Sequence, residues 1–126
     1  MALIVCIEDV EDFREVITYE LEKAGHKVIE CTNGNEGLEV IHKEEPDLII
    51  SDVMMPNMSG LELLIKLRSS EGTASNTPII IMSASTHQHY EEEALKYGAF
   101  EYLLKPINWD NFLFSVRRAL DSRVVT

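Results

Sequence analysis

Cysteine and tryptophan are scarce in this chain. Its 126 residues contain two cysteines and one tryptophan. Cys6 and Cys31 show neither Cys-x-x-Cys spacing nor a histidine at zinc-finger spacing, which argues against a disulfide framework and against a zinc finger. Both lie in apolar runs, so we expect two buried, free thiols in a reducing compartment.

Positive charge is scarce as well. The chain carries 11 Lys and Arg against 22 Asp and Glu, a formal net charge of −11. Proteins hold nucleic acid mainly through Lys and Arg on phosphates, so we expect no direct contact between this domain and nucleic acid.

Long apolar stretches are absent. No run approaches the ~18 apolar residues of a membrane-spanning helix. The segment Met1–Ile7 has no positive leader and is followed at once by Glu8, so we expect no secretory signal peptide. A chain of 126 residues has the size of one domain. The expectation is a single, acidic domain that is soluble and cytoplasmic and does not enter a membrane.

Short apolar runs rich in β-branched residues alternate with amphipathic segments. The runs are continuous rather than alternating in polarity, which is typical of strands covered on both faces. The predicted strands are Leu3–Ile7, Lys27–Cys31, Asp47–Ser51, Ile79–Met82 and Phe100–Leu103. The predicted helices are Phe13–Ala24, Asn35–Glu45, Leu61–Arg68, Tyr90–Tyr97 and Asn108–Asp121.

This alternation predicts an α/β fold with a parallel sheet and helices on both faces, joined by right-handed crossovers. Five strands fit the doubly wound, flavodoxin-like order 2-1-3-4-5. Residues 1–121 are expected to form this domain. Residues 122–126 are either a short tail or the start of a truncated linker.

Helical spacing predicts which side chains face the sheet. Val16, Tyr19 and Ile65 are among those expected inside, whereas Phe114 is expected outside. The polar, glycine-containing segment Ser69–Thr77 is expected to be a mobile, exposed loop.

Acidic side chains follow two of the predicted strands. Glu8 and Asp9 come directly after the first strand, and Asp52 comes directly after the third. In the predicted order these strands are neighbours at the point where strand order reverses, and ligands gather at the carboxyl ends there. Crowded carboxylates raise one another's pKa unless a cation joins them, and their hard oxygens suit Mg²⁺. The sequence therefore predicts an Mg²⁺ site at this edge.

A hydroxyl and an ammonium group are predicted at the same edge, because Ser83 follows the fourth strand and Lys105 follows the fifth. Carboxylates, a hydroxyl and an ammonium around a divalent ion form a site for a phosphoryl group, where one carboxylate attacks phosphorus. Asp52 is the better nucleophile, since it is alone on the central strand beside a loop of amide donors. Glu8 and Asp9 are the better metal ligands.

Four segments carry these residues, each at a strand end. They are residues 4–9, the run from Asp47 through Pro56 to Ser59-Gly60, the run Pro78–Ala84, and the run Tyr102–Pro106. Together they resemble a response-regulator receiver domain over about residues 3–121. The resemblance implies a phosphorylation-activated switch of a two-component system, a signalling module that catalyses only its own phosphorylation and dephosphorylation.

The resemblance also implies roles for the acidic residues. Asp52 matches the phosphoacceptor, which takes a phosphoryl group from the phosphohistidine of a histidine kinase or phosphotransfer protein. Asp9 matches the direct Mg²⁺ ligand, and Glu8 matches its partner, which acts largely through water. Met54 matches the position whose backbone carbonyl completes the metal shell.

Further positions match the parts that respond to phosphorylation. Ser83 matches the switch hydroxyl, Tyr102 the switch aromatic that moves inward with it, and Lys105 the phosphoryl-pairing lysine. The Lys105–Pro106 bond is commonly cis in such domains, which would orient the lysine. The expected output surface is the fourth helix, fifth strand and fifth helix, which contacts a downstream protein or output domain and allows a homodimer.

The sequence departs from the family pattern at few positions. Ser83 stands where Thr is commoner, which keeps the hydroxyl but loses a methyl group that restricts its rotamer, so we expect a looser switch. Met54 and Ser85, two positions past Asp52 and Ser83, offer no group to position an attacking water. This indicates a longer-lived acyl phosphate.

Two other functions remain open from the sequence. An aspartate-nucleophile phosphatase also uses Asp, Lys, Ser and Mg²⁺, but it carries a second Asp where this chain has Met54. A degenerate receiver that acts as an unphosphorylated interaction module has the same fold. Asp52, Ser83 and Lys105 provide the functional groups that a phosphorylated switch needs, which favours this function over the phosphatase and the degenerate receiver.

Overall fold

A computed structural model describes residues 1–70, 73–84 and 88–122 of the protein. Strands and helices alternate throughout these residues. The strands are β1 (Leu3–Ile7), β2 (Lys27–Cys31), β3 (Leu48–Asp52), β4 (Ile79–Ser83) and β5 (Glu101–Leu104). The helices are α1 (Glu11–Lys23), α2 (Gly34–Glu44), α3 (Gly60–Arg68), α4 (Gln88–Lys96) and α5 (Trp109–Asp121). Ser85 and residues 123–126 of the expected tail lie outside the described residues.

The strands form one parallel sheet in the order β2-β1-β3-β4-β5. The predicted fold class and strand order are therefore confirmed. The last three strands end one residue later than predicted, so Asp52 and Ser83 are the final residues of β3 and β4 rather than the first beyond them. This keeps both residues inside the hydrogen-bonded sheet.

The sheet separates two hydrophobic cores, one on each face. Alternate residues of β1 show the division, because Val5 and Ile7 belong to one cluster and Ile4 and Cys6 to the other. Helices α2, α3 and α4 supply the first cluster, and α1 and α5 supply the second. Central strands buried on both faces explain the continuous apolar runs of the sequence.

Several side chains predicted to face inward are exposed instead. Val16 and Ile65 are each 41% exposed, and Tyr19 is 61% exposed. On α1 the inner positions follow a spacing of four, with Ile17 and Leu21 fully buried, so Val16 and Tyr19 face away from the sheet. Phe114 is 63% exposed, which confirms its prediction.

The segment between α3 and β4 differs from the expected exposed loop. Its second half forms a 3-10 turn over Thr73–Asn76, and Thr77 is buried. The Arg68 guanidinium donates hydrogen bonds to the carbonyl oxygens of Thr77 at 2.8 Å and of Gly98 at 2.9 Å. One side chain therefore joins the segment to the end of α4. Residues 71 and 72 lie outside the described residues.

Both cysteines are buried and free, as predicted. Burial raises the pKa of the Cys31 thiol to about 12 and that of Cys6 still further. Neither thiol is therefore a reactive thiolate at neutral pH. As for membranes, none of the helices in the described ranges has the length and apolar content needed to cross a bilayer.

Gly60 begins α3 in contact with the end of β3. A Cβ atom placed there would overlap the carbonyl oxygen of Asp52 and would lie 3.1 Å from the Cα of Val53. The start of α3 therefore rests directly on the backbone that carries Asp52. At Gly37, by contrast, the overlap is with the Cδ1 atom of Ile7, the far end of a side chain.

Substituting Gly60→Ala is expected to lower the free energy of unfolding by about 2–3 kcal/mol, because overpacked backbone cannot move aside. Gly37→Ala is the matched control and should cost less, since Ile7 can rotate and Ala improves helix propensity by about 1 kcal/mol. Urea unfolding followed by circular dichroism measures both values. An equal or larger loss for Gly37→Ala contradicts this account of Gly60.

Candidate functional site

Three carboxylates meet where β1 and β3 end. Glu8 and Asp9 directly follow β1, and Asp52 is the last residue of β3. One carboxylate oxygen from each lies within 4.8 Å of the other two. Glu8 and Asp52 are buried, whereas Asp9 is exposed. Hard oxygen donors at this spacing, with one side open to solvent, fit a hydrated divalent cation such as Mg²⁺.

Glu8 is a fully buried carboxylate with two partners. Its Oε2 accepts a hydrogen bond from the backbone N–H of Val10 at 3.0 Å, and its Oε1 accepts one from the Nζ of Lys105 at 3.1 Å. Burial nevertheless raises the pKa of Glu8 to about 7, and the neighbouring charge of Asp52 adds to this rise. The hydrogen bonds from Val10 and Lys105 oppose it without cancelling it.

Asp52 makes a different pair of contacts. Its Oδ2 accepts a hydrogen bond from the Nζ of Lys105 at 2.9 Å, and its Oδ1 accepts one from the backbone N–H of Met54 at 3.2 Å. The loop after β3 therefore supplies an amide donor, as the sequence suggested. Met54 itself is largely exposed.

Lys105 reaches this cluster from the end of β5. Burial alone would lower the pKa of its ammonium group, but hydrogen bonds and charge from Asp52 and Glu8 outweigh burial and raise it. The backbone N–H of Lys105 also donates to the carbonyl oxygen of Ser83 at 2.8 Å. The Lys105–Pro106 peptide bond is cis, as expected from the resemblance.

Ser83 and Tyr102 lie on β4 and β5, the two strands on the side of β3 opposite β1. Ser83 is fully buried at the end of β4, at the same edge as Asp52. Tyr102 in the middle of β5 is 8% exposed, and within the described residues its buried hydroxyl has no hydrogen-bond partner. The resemblance implies that this ring moves inward on phosphorylation, whereas here it is already packed in the core with Ala94 and Ala99.

Sequence reasoning missed two residues of α1 that contact the site. The Nη1 of Arg14 donates to the backbone carbonyl of Glu8 at 2.8 Å, and its Nε donates to the Oε1 of Glu30 at 2.9 Å. The ring of Phe13 lies under Lys105, with 4.3 Å between the Nζ and the ring centroid. The available signal was position alone, since both residues fall in the first turns of the helix that follows the acidic pair.

Most of the predicted site residues therefore come together. The side chains of Glu8, Asp9, Asp52 and Lys105 form one cluster, and Ser83 ends the adjacent strand. Taken as a group, they offer a nucleophilic carboxylate, a cation-binding set of oxygens and a fixed ammonium. This combination can accept and stabilise a phosphoryl group.

Comparisons with known proteins agree with this geometry. The family model described as Response regulator receiver domain matches residues 4–117. The chain is 36% identical over 117 residues to the uncharacterized transcriptional regulatory protein YkoG of Bacillus subtilis, which covers 93% of this chain and 50% of that protein. It is 34% identical over 121 residues to histidine kinase P4 of Formosa agariphila, which covers 96% of this chain and 9% of the kinase.

A solved structure shows the same likeness in three dimensions. Chemotaxis response regulator CheY4 of Vibrio cholerae has a TM-score of 0.87 and 31% identity, covering 94% of this chain and 98% of that one. The chain thus spans half or less of the two curated relatives above, but nearly all of CheY4. On this evidence the chain belongs to the response-regulator receiver domain family of two-component signalling systems.

Proposed function

We propose that Asp52 is the phosphoacceptor of this receiver domain and that its phosphorylation operates the signalling switch. The observation that carries the proposal is the position of the Asp52 carboxylate. It lies 2.9 Å from the Lys105 ammonium and within reach of the Glu8 and Asp9 oxygens. The donor is a phosphohistidine on a histidine kinase or phosphotransfer protein. The folded unit is residues 1–121, and its compartment is the cytoplasm, where the two buried thiols stay reduced.

The transfer itself needs little covalent chemistry from the chain. A carboxylate oxygen of Asp52 attacks phosphorus and forms a new O–P bond, while the N–P bond to the donor histidine breaks and its electron pair stays on the imidazole nitrogen. Lys105 balances the negative charge of the phosphoryl oxygens, and the N–H of Met54 and the hydroxyl of Ser83 are further donors at this edge.

The residues present fit a bound Mg²⁺. Glu8, Asp9, Asp52 and the backbone carbonyl of Met54 would hold the ion, with Glu8 acting largely through water. When bound, Mg²⁺ supplies charge neutralisation for the phosphoryl oxygens and for the crowded carboxylates. Asp9 is the exposed member of the set and gives the ion an entry side from solvent.

The signal leaves through α4, β5 and α5. Each of these elements carries an exposed apolar side chain, namely Leu95, Leu104 and Phe114. Exposed apolar groups of this kind suit contact with a downstream protein, an output domain or a second copy. Because Tyr102 is already buried, we infer that phosphorylation shifts the population of existing arrangements rather than creating a new one.

Replacing Asp52 tests the acceptor. Incubation with Mg²⁺ and acetyl phosphate should add one phosphoryl group to the wild-type protein, and Asp52→Asn should abolish the addition because an amide is not a nucleophile here. Intact-mass spectrometry measures the product. Asp110→Asn removes an exposed carboxylate near the same edge and should leave the addition unchanged. A phosphoryl group on the Asp52→Asn protein contradicts the proposal.

Replacing Asp9 tests the metal site. Asp9→Asn should weaken Mg²⁺ binding by about tenfold or more, since it removes a direct ligand. Trp109, the single tryptophan of the chain, lies 5.9 Å from the Phe13 ring beneath Lys105 and reports binding by fluorescence. Asp12→Asn changes the net charge equally at an exposed position and should keep most of the affinity. If both variants lose the same Mg²⁺ affinity, the loss comes from the change in net charge, and Asp9 is not a direct ligand.

Burial of Glu8 predicts a pH dependence of stability in buffer without divalent ions. Its pKa rises from an ordinary 4.5 to about 7 on folding, so its stabilising contribution is complete below pH 4.5 and is lost as pH rises through about 7. The unfolding free energy of the wild type, relative to Glu8→Gln, should therefore fall across this window. Urea unfolding at a series of pH values measures it. Glu15→Gln, at an exposed position, is the control. The prediction is contradicted if the difference in unfolding free energy between the wild type and Glu8→Gln stays constant or increases as pH rises.

A further inference from the structure

The ammonium group of Lys105 is enclosed by three different groups. Its Nζ lies 2.9 Å from the Oδ2 of Asp52, 3.1 Å from the Oε1 of Glu8 and 4.3 Å from the centroid of the Phe13 ring. The lysine side chain is only 20% exposed, so water has limited access to it. An ammonium has three N–H groups, of which two are used by the carboxylates, and the aromatic face occupies a further side.

The ring differs from the carboxylates in what it can do during the reaction. Under the proposed function, Glu8 and Asp52 both take part in holding Mg²⁺, and Asp52 becomes an acyl phosphate, so the two ionic partners of Lys105 change. An aromatic face neither binds a hard cation such as Mg²⁺ in competition with oxygens nor takes up a proton. It still attracts an ammonium through its quadrupole, and more strongly where water is limited.

The ring is itself held in place. Phe13 packs against Trp109 with 5.9 Å between ring centroids, and Trp109 packs edge-to-face on Phe112 at 5.3 Å. Phe112 is fully buried in the core between the sheet, α1 and α5. The surface under Lys105 is therefore anchored to the core through three aromatic rings, so it is a fixed support for the ammonium group.

We propose that Phe13 is a positioning residue for phosphoryl transfer, whose ring face keeps the Lys105 ammonium at the Asp52 carboxylate while the ionic partners of the lysine change. The inference rests on the proposed function of Asp52. Phe13 acts through Lys105 and does not touch the phosphoryl donor in this account.

The first test compares residues at position 13. The rate constant of phosphorylation at saturating acetyl phosphate and Mg²⁺ should fall about three- to tenfold in Phe13→Leu, which keeps apolar bulk but lacks a ring face. Phe13→Tyr retains the face and should restore most of the rate. Tyr19→Leu is the matched control, because this ring of the same helix lies under Lys23 at 5.3 Å and away from the site. Its rate should equal that of the wild type.

A graded series separates the ring face from its volume. Phenylalanines with one, two and three ring fluorines, incorporated at position 13, weaken the quadrupole with little change of shape. The logarithm of the phosphorylation rate constant should decline with each fluorine, while the unfolding midpoint and the Mg²⁺ affinity stay near the wild-type values. A rate that is constant across the series overturns the inference, including the case where Phe13→Leu is slow only because it packs poorly.

A double-mutant cycle tests whether the effect passes through Lys105. In a Lys105→Met background, Phe13→Leu should cause no further loss of rate. The same fold loss in both backgrounds indicates a purely structural role and overturns the proposal. Failure of the two ideas is distinguishable. If the wild-type protein gains no phosphoryl group on Asp52, the proposed function itself is wrong. If the wild type is phosphorylated on Asp52 but the Phe13 variants react at the wild-type rate, only the role of Phe13 is wrong.

Discussion

Two carboxylates from neighbouring strands, Glu8 and Asp52, are held beside each other by the ammonium group of Lys105. Like charges repel strongly where burial has removed water, and burial alone moves the pKa of Glu8 toward neutrality. The ammonium offsets this repulsion by its contacts with both carboxylates. The acidic edge therefore depends on a cation that arrives from a third strand, 53 residues further along the chain than Asp52.

The parallel sheet makes that meeting possible. All five strands described here run the same way, so their carboxyl ends lie at one edge, and residues far apart in sequence become neighbours there. Two hydrophobic cores fix the sheet from both faces. Gly60 adds a local constraint, because its lack of a side chain lets α3 start against the backbone of Asp52. The stability of the fold and the position of the Asp52 carboxylate thus depend on the same contacts.

Patterns in the sequence predicted the strand order and the acidic cluster because both follow from periodicity and from where apolar runs end. Asp52 and Lys105 could be placed at one edge without any knowledge of side-chain contacts. Phe13 and Arg14 could not be assigned, because helical spacing fixes which residues share a face but not how that face is rotated against the end of a strand. The same ambiguity placed Val16 and Tyr19 inside, where the structure has them exposed. Contacts of this kind depend on how a helix is rotated against the sheet, which the sequence pattern does not determine.

Lys105 also joins α1 to the end of β4. Its side chain rests on Phe13, which belongs with α1 and α5, while its backbone N–H is bonded to the carbonyl of Ser83 on β4. In the strand register Ser83 is paired with Leu104 of β5. Tyr102, two residues earlier on β5, packs in the core on the face covered by α2, α3 and α4. Under the proposed function, the lysine must exchange a carboxylate for a phosphoryl oxygen on activation. Because its ring support is held by the aromatic core and its backbone is bonded to β4, the ammonium group would exchange partners with little change in its own position.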